Sequence, residues 1–335
     1  MRAYAFEQFG LDSLKIVEAP TPQPGPGEVR VALRARSLNF RDLLVVSGLY
    51  NKKLPLPATP LSDGAGVVDA VGDGVEGVAV GDGVMGHFVS EWLEGPYRGK
   101  YLGSTLGTPG PGLAADEVVL PASAVVPIPL GWSFEEAATL PIAALTAWSA
   151  LVTEGGLRGG AQGRTVLTLG TGGVSLFALQ FAKALGAEVV ITSSQDEKLQ
   201  RARDLGADHT INYSSTPRWE KAVLEACGGA DVVVETGGAG TLTQSLRATR
   251  PGGVIGMLGA LTGLRAEIDI SPVLMKRIRI AGIMVDSRQA FIQMCAFLGE
   301  KDLKPVIDAR FDFEDLPAAL GHMKAGTQFG KIVLV

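Results

Sequence analysis

Thr165-Val166-Leu167-Thr168-Leu169-Gly170-Thr171-Gly172-Gly173-Val174-Ser175 is the stretch whose reading decides the fold. Its first five residues, β-branched or apolar, predict a short buried strand, and the glycines after them predict a tight turn. A helix is expected beyond the turn, over 174–185. Such a turn lets backbone N–H groups approach a pyrophosphate, and the helix N-terminus adds a favourable dipole. The last position of the G-x-G-x-x-G pattern holds Ser175 instead of glycine, a residue still small enough for close helix–sheet packing. An ordinary strand–helix turn would read much the same from the motif alone. The surrounding βαβ pattern favours the nucleotide reading.

Working outward, strands are expected at 188–192, 231–235 and 253–258, with helices over 196–205, 217–227 and 241–248. Strands alternating with helices of this length predict a doubly wound parallel sheet, hence an α/β fold of Rossmann type. The N-terminal third has a different texture. Residues 14–18 and 29–33 alternate as half-buried strands across a Pro/Gly-rich stretch at 20–27. Valines punctuated by Gly and Asp at 64–84 predict short strands joined by tight turns. Ser133-Phe134-Glu135-Glu136 has the form of a capping box and opens a helix. Helices near 287–299 and 315–325 precede a terminal strand at 331–335. The expected organisation is a β-rich domain at 1–125 and a nucleotide-binding domain at 126–265. Residues 266–335 are expected to complete the parallel sheet and return to the first domain.

Composition excludes several classes. Among 335 residues the hydrophobic fraction is 46% and the charged fraction 19%, enough for sizeable cores. A formal net charge of −5 argues against a nucleic-acid-binding surface. Two cysteines, Cys227 and Cys295, cannot make a disulfide framework. With three histidines and no CxxC or HxxxH spacing, a four-ligand Cys/His zinc site is not expected. The N-terminal residues lack the apolar run of a signal peptide, and no apolar stretch reaches the length of a membrane span. The expectation is a soluble, cytoplasmic protein that engages neither membrane nor nucleic acid. Glycine is the outlier, at 44 residues, about twice average usage.

The end of the second strand bears on the cofactor. An NAD site places an acidic residue there, about 20 residues past the glycines, to bind the ribose 2′-hydroxyl. The residues reached are Thr192-Ser193-Ser194-Gln195, while Asp196 and Glu197 read as the first turn of the next helix. Hydroxyls at Ser193 and Ser194, with Lys198 one turn on, suit a 2′-phosphate, so NADPH is the expected cofactor. Lys198 reads equally well as part of a solvated helix face.

Several further motifs run along the chain: Pro24-Gly25-Pro26-Gly27-Glu28-Val29, Asn39-Phe40-Arg41-Asp42, Asp63-Gly64-Ala65-Gly66-Val67-Val68, Val80-Gly81-Asp82, Leu145-Thr146-Ala147-Trp148 and Leu205-Gly206-Ala207-Asp208. With the glycine turn, they resemble the medium-chain dehydrogenase/reductase superfamily over nearly the whole chain. Within it the sequence is similar to the zinc-independent, quinone-oxidoreductase-like branch. The resemblance implies a GroES-like N-terminal domain to which the C-terminal segment returns, a Rossmann domain, cofactor binding in the interdomain cleft, and a homodimer. Zinc-dependent relatives hold their metal with Cys, His and Cys. The matching positions here are Asn39, Ser62 and Ile142, with Asp63 in place of the acid beside the His. Asn and Ser are poor zinc ligands and Ile is none. The four-cysteine structural lobe has no counterpart near 91–100.

Loss of the Lewis acid directs the chemistry toward acceptors that are already electrophilic, namely quinones and α,β-unsaturated carbonyls. Oxygen charge developing on such a substrate needs hydrogen-bond donors. The resemblance places Asn39 and Arg41 on the catalytic floor, with Tyr50 a short distance on. The expected roles are Asn39 as donor and Tyr50 as pocket wall and proton source. Against these stand plainer readings: Asn39 as a helix cap, Arg41 paired with Asp42 or Asp63, Tyr50 as core packing. The resemblance also implies Thr146 near the nicotinamide and Tyr213 beside the adenosine phosphate. It adds Gly237, Gly238 and Gly259 at strand ends passing close to the cofactor, and Lys331 reaching toward it, against Lys331 as an exposed charge. Thr171, Gly173 and Val174 join Gly170 and Gly172 as residues of the cofactor turn. Two other functions are carried: an NADP-dependent alcohol or aldehyde oxidoreductase, and a non-enzymatic NADPH-binding protein.

Overall fold

The computed structural model describes residues 1–335, which divide into two compact units: Met1–Leu145 with Val285–Val335, and Thr146–Met284. The observed division sets 126–145 with the first unit instead of the second; residues 266–284 lie in the second unit and 285–335 return to the first. The helix opened by Ser133 packs on strands of the first unit, and the last strand of the parallel sheet, Arg279–Gly282, lies beyond 265. Long-range contacts place these segments, and composition is insensitive to them.

In the second unit six parallel strands lie in the order His209–Asn212, Glu188–Ser193, Thr165–Leu169, Ala230–Glu235, Thr249–Met257, Arg279–Gly282. The chain builds outward from Thr165–Leu169 in one direction and then returns to build in the other. The switch therefore falls between Thr165–Leu169 and Ala230–Glu235, where α/β sheets open a crevice beyond their strand ends. The central strands are apolar throughout because both sheet faces are covered: Val166, Leu167, Val190, Val233 and Ile255 are fully buried. The expected strands and helices are all present, the helix after the glycines spanning Gly173–Ala184.

The first unit carries a seven-stranded sheet. The C-terminal strand Lys331–Leu334 pairs antiparallel with Glu28–Ser37, placing Val333 opposite Ser37. On its other side Glu28–Ser37 pairs with Asp63–Val71, and there Ser37 lies opposite Asp63. This register brings the ends of three strands together. Two expectations need correction. The strand Lys15–Glu18 is exposed along its length instead of half-buried, with Ile16 at 38% and Val17 at 39%; it pairs only with Arg2–Ala5 in a two-stranded ribbon. The glycines at the start of 64–84 belong to one nine-residue strand, Asp63–Val71, instead of turns. A Cβ on Gly66 would lie 2.2 Å from the Ala32 carbonyl oxygen, so this glycine serves close strand approach.

Candidate active site

Where the three strands of the first unit converge, a chain of hydrogen bonds crosses the protein interior. Lys331 Nζ donates to the Leu38 carbonyl at 2.7 Å and to Asn39 Oδ1 at 2.8 Å. Asn39 Nδ2 donates in turn to Asp63 Oδ2 at 2.8 Å. Lys331 is therefore no exposed charge: it is 3% exposed, and Asp63 is 0% exposed. Burial pushes the Asp63 carboxyl up from the usual range, opposed by the Lys331 charge and the Asn39 hydrogen bond. Burial pushes the Lys331 ammonium down, opposed by Asp63 and Asp42.

Asn39 is also the N-cap residue of the helix Phe40–Val46, where it forms a capping box with Asp42. Asp42 Oδ2 accepts from the Asn39 backbone N–H at 2.8 Å. Asp42 Oδ1 accepts from the Ser62 hydroxyl at 2.7 Å, and Arg41 donates to that same hydroxyl through Nη1. Arg41 Nη2 donates to the Thr108 carbonyl at 2.8 Å, and its guanidinium lies 3.8 Å from Asp42. Its plane sits over the Tyr50 ring at 4.7 Å and the Phe88 ring at 4.9 Å, a cation–π arrangement. Thus Arg41 pairs with Asp42, and Tyr50 is a half-exposed ring under a cation instead of core packing. Two cations and two carboxylates make this cluster neutral overall. Arg41 Nε and Asp63 Oδ1 are buried without a protein partner.

Asn39, Ser62 and Ile142, the positions that the zinc-dependent pattern fills with ligands, offer no free soft donor. The Asn39 oxygen is taken by an ammonium, and the Ser62 hydroxyl is held between Arg41 and Asp42. Nowhere in the chain do three or more His, Cys, Asp or Glu side chains group so as to hold a metal ion.

In the second unit the turn after Thr165–Leu169 is built as its sequence requires. Gly170 has φ of +75°, a left-handed conformation that favours glycine, and Gly172 is the N-cap residue of the following helix. No atom lies within 4 Å of where a Cβ on Gly170 or Gly172 would stand, so the turn has open space over it. The first-turn N–H groups of that helix, from Gly173 and Val174, have no intrahelical acceptor. Thr171 is buried beside them. Ser175, at the position expected for glycine, turns its hydroxyl onto the Leu169 carbonyl at 2.7 Å. Thr236 Oγ1 reaches the same carbonyl at 2.9 Å, tying the first strand's end to the fourth. Open space, a helix N-terminus and a glycine turn at the switch point fit a dinucleotide pyrophosphate.

Of the other residues expected near the nucleotide, Ser193, Ser194 and Tyr213 lie at the second and third strand ends. Ser193 is buried, Ser194 exposed, and the Tyr213 backbone N–H donates to the Ser193 carbonyl at 3.0 Å. Lys198, one turn into the next helix, is 8% exposed and so does not lie on a solvated face. Asp196 accepts from Asn212 Nδ2 at 2.7 Å. Thr146 is buried at the start of the second unit. Gly259 follows the fifth strand, where a Cβ would stand 2.3 Å from the Thr236 carbonyl oxygen.

Sequence reasoning missed Glu235. This fully buried carboxylate at the end of the fourth strand accepts from the backbone N–H groups of Gly237 at 2.8 Å and Gly238 at 3.0 Å, and from Thr241 Oγ1 at 2.6 Å. Ser245 supplies a further hydroxyl. The signal was an acid ending an apolar strand directly before two glycines. Sequence reasoning named Asp42 only as a partner for Arg41 and gave Ser62 no role in the polar cluster; the Asp at the third helical position after Asn39 was the visible clue. Of the histidines, His209 pairs with Glu188 at 2.9 Å. His87 is fully buried with both ring nitrogens unpartnered and its ring 6.1 Å from that of Phe291. Burial lowers its pKa to about 4.

Two family models match the chain: an alcohol dehydrogenase GroES-like domain over residues 25–130 and a zinc-binding dehydrogenase over 173–300. A zinc-type alcohol dehydrogenase-like protein of Schizosaccharomyces pombe is 44% identical over 337 residues, spanning 97% of this chain and 96% of that one. A solved NAD-dependent alcohol dehydrogenase superimposes with a TM-score of 0.90 at 37% identity, over 100% of this chain and 99% of that chain. The quinone oxidoreductase from Coxiella burnetii gives a TM-score of 0.81 at 28% identity, over 100% of this chain and 98% of that chain. A doubly wound sheet with its glycine turn, accompanied by a GroES-like domain, defines a nicotinamide-dependent type of dehydrogenase. The chain belongs to the medium-chain dehydrogenase/reductase family, as an oxidoreductase of a family that binds NAD(P).

Proposed function

We propose that this protein is an NADPH-dependent, zinc-independent reductase of quinones or α,β-unsaturated carbonyls. The observation that carries this reading is the Lys331–Asn39–Asp63 chain. It takes up Asn39, one of the three positions where a zinc-dependent site needs a Cys or His donor, and an ammonium beside the Asn39 oxygen repels a divalent cation. The donor set does not fit zinc. Substrates that need no Lewis acid are then the suitable ones.

When bound, the nicotinamide supplies the hydride. Gly170, Thr171, Gly172, Gly173 and Val174 hold the pyrophosphate through backbone N–H groups and the helix N-terminus. Ser193, Ser194, Lys198 and Tyr213 would hold the adenosine 2′-phosphate. Support for the phosphate comes from the absence of an acid at the strand end, and from Asp196 being engaged by Asn212. Thr146, Gly237 and Gly259 would line the nicotinamide, and Lys331 acts through Asn39. As a hydride arrives at the β-carbon of an enone, negative charge grows on the carbonyl oxygen, and the Asn39 Nδ2–H donates to it. Arg41 would hold the floor beneath, and Tyr50 would wall the substrate and give its hydroxyl proton to the α-carbon of the enolate, being reprotonated from solvent.

Relatives named as alcohol dehydrogenases, one of them NAD-dependent, favour a second reading as an alcohol or aldehyde oxidoreductase. Turnover of quinones, enals and simple alcohols with NADPH and NADH, with and without chelator, separates the two. Activity confined to alcohols and lost to chelator overturns the first reading.

A homodimer is part of the proposal. It is supported by the free edge of Arg279–Gly282 and by exposed apolar side chains nearby, Leu274 and Met275 among them. No helix is long and apolar enough to cross a membrane, and a cytoplasmic location is proposed.

A further inference from the structure

We propose that Lys331 and Asp63 are positioning residues that lock the Asn39 amide in one orientation, so that the site presents an N–H donor and never a carbonyl to its ligand. This rests on the reading of Asn39 as the donor to substrate oxygen. The two ends of an asparagine amide have nearly the same shape and opposite hydrogen-bonding sign, so neighbours alone decide which way it points. Here Oδ1 meets an ammonium at 2.8 Å and Nδ2 meets a carboxylate at 2.8 Å. A flipped amide would set its NH2 group against the ammonium and its carbonyl against the carboxylate. Both new contacts would be repulsive, and both charges are buried away from screening water.

The frame around the amide is equally fixed. Lys331 is itself held by the carbonyl of Leu38, the residue before Asn39. The Asn39 backbone N–H is held by Asp42. Asn39 Nδ2 has two hydrogens, and one goes to Asp63. The second has no acceptor among the protein's hydrogen bonds, and Asn39 keeps a little exposure where Asp63 has none. The site is thereby specific for ligands with an acceptor oxygen, such as a carbonyl or quinone.

The test is a double-mutant cycle on quinone and enal reduction with NADPH. Lys331→Met is expected to lower kcat about tenfold with the NADPH KM little changed, and Lys331→Gln, which restores a donor, to recover most of it. Because Lys331 acts through Asn39, Lys331→Met should add little to the loss already caused by Asn39→Ala. Equal factors in the native and Asn39→Ala backgrounds would overturn the proposal. Asp63→Asn runs the same cycle should Lys331→Met fail to fold. If Asn39→Ala alone leaves every rate unchanged, the donor reading itself is lost. If Asn39→Ala is impaired while the Lys331 and Asp63 variants are not, only the positioning role is lost.

Discussion

Lys331 and Asp63 are joined through a single amide: the lysine donates to Asn39 Oδ1 at 2.8 Å and Asn39 Nδ2 donates to Asp63 at 2.8 Å. The lysine lies 292 positions along the chain from the asparagine it holds. Opposite charges kept apart by a neutral dipole satisfy burial while leaving that dipole oriented. Several measurable consequences follow from this and from the second unit.

Replacing Asn39 by Ala removes the proposed donor to the developing oxygen charge. The expected loss in kcat for enone or quinone reduction is about a hundredfold, typical of one oxyanion donor. Steady-state kinetics with saturating NADPH measures it, and an unchanged kcat removes Asn39 from the chemistry.

His87 predicts an acid limb in stability. Burial lowers its pKa from 6.5 to about 4, so the unfolded chain binds a proton that the folded one does not. Stability therefore rises with pH through this window and is lost as pH falls from 6.5 toward about 4. The full effect is about 3 kcal/mol at 1.36 kcal/mol per pKa unit. His87→Phe should flatten that limb in urea unfolding compared at neutral and mildly acidic pH. An equally steep limb in the variant would assign it to other groups.

Glu235→Gln should destabilise the loop after the fourth strand. The two backbone N–H groups of Gly237 and Gly238 would lose a charged acceptor, at a cost of about 2 kcal/mol. A lowered Tm together with weaker cofactor binding is the expected pair of results. Unchanged thermal unfolding would show that the amide serves as well.

Lys198→Met should weaken NADPH about tenfold and leave NADH nearly unaffected, since only the former carries the 2′-phosphate. Fluorescence titration of both cofactors reads this directly. Tighter binding of NADH to the unaltered protein would reverse the cofactor assignment.

For the proposed homodimer, Ile280→Asp places a charge on the edge strand Arg279–Gly282, where Ile280 is 40% exposed. Light scattering should then report a monomer. A dimer that persists would place the interface elsewhere.

Much of the second unit was legible from local pattern. Thr165–Leu169, Gly170 and the helix beyond form one contiguous unit, and parallel strands buried on both faces write their burial into unbroken apolar runs. The ribbon strand Lys15–Glu18 misled because alternation implies a packed face only when something packs on it. Residues 126–145 fall with the first unit because membership of a unit is a matter of long-range contacts, to which composition is insensitive.

The sequence by itself determined the parallel α/β unit and its glycine turn, because both depend on neighbours within a few residues. It also showed which positions lack metal-ligating side chains. Only the tertiary structure decided what those positions do instead. Strand register between Lys331–Leu334, Glu28–Ser37 and Asp63–Val71 sets a lysine, an asparagine and an aspartate in one line. Lys331 read alone is a surface charge and Asn39 a helix cap. Their pairing arises from sheet hydrogen bonds between segments distant in the chain, and burial then turns a weak polar contact into one that fixes an orientation.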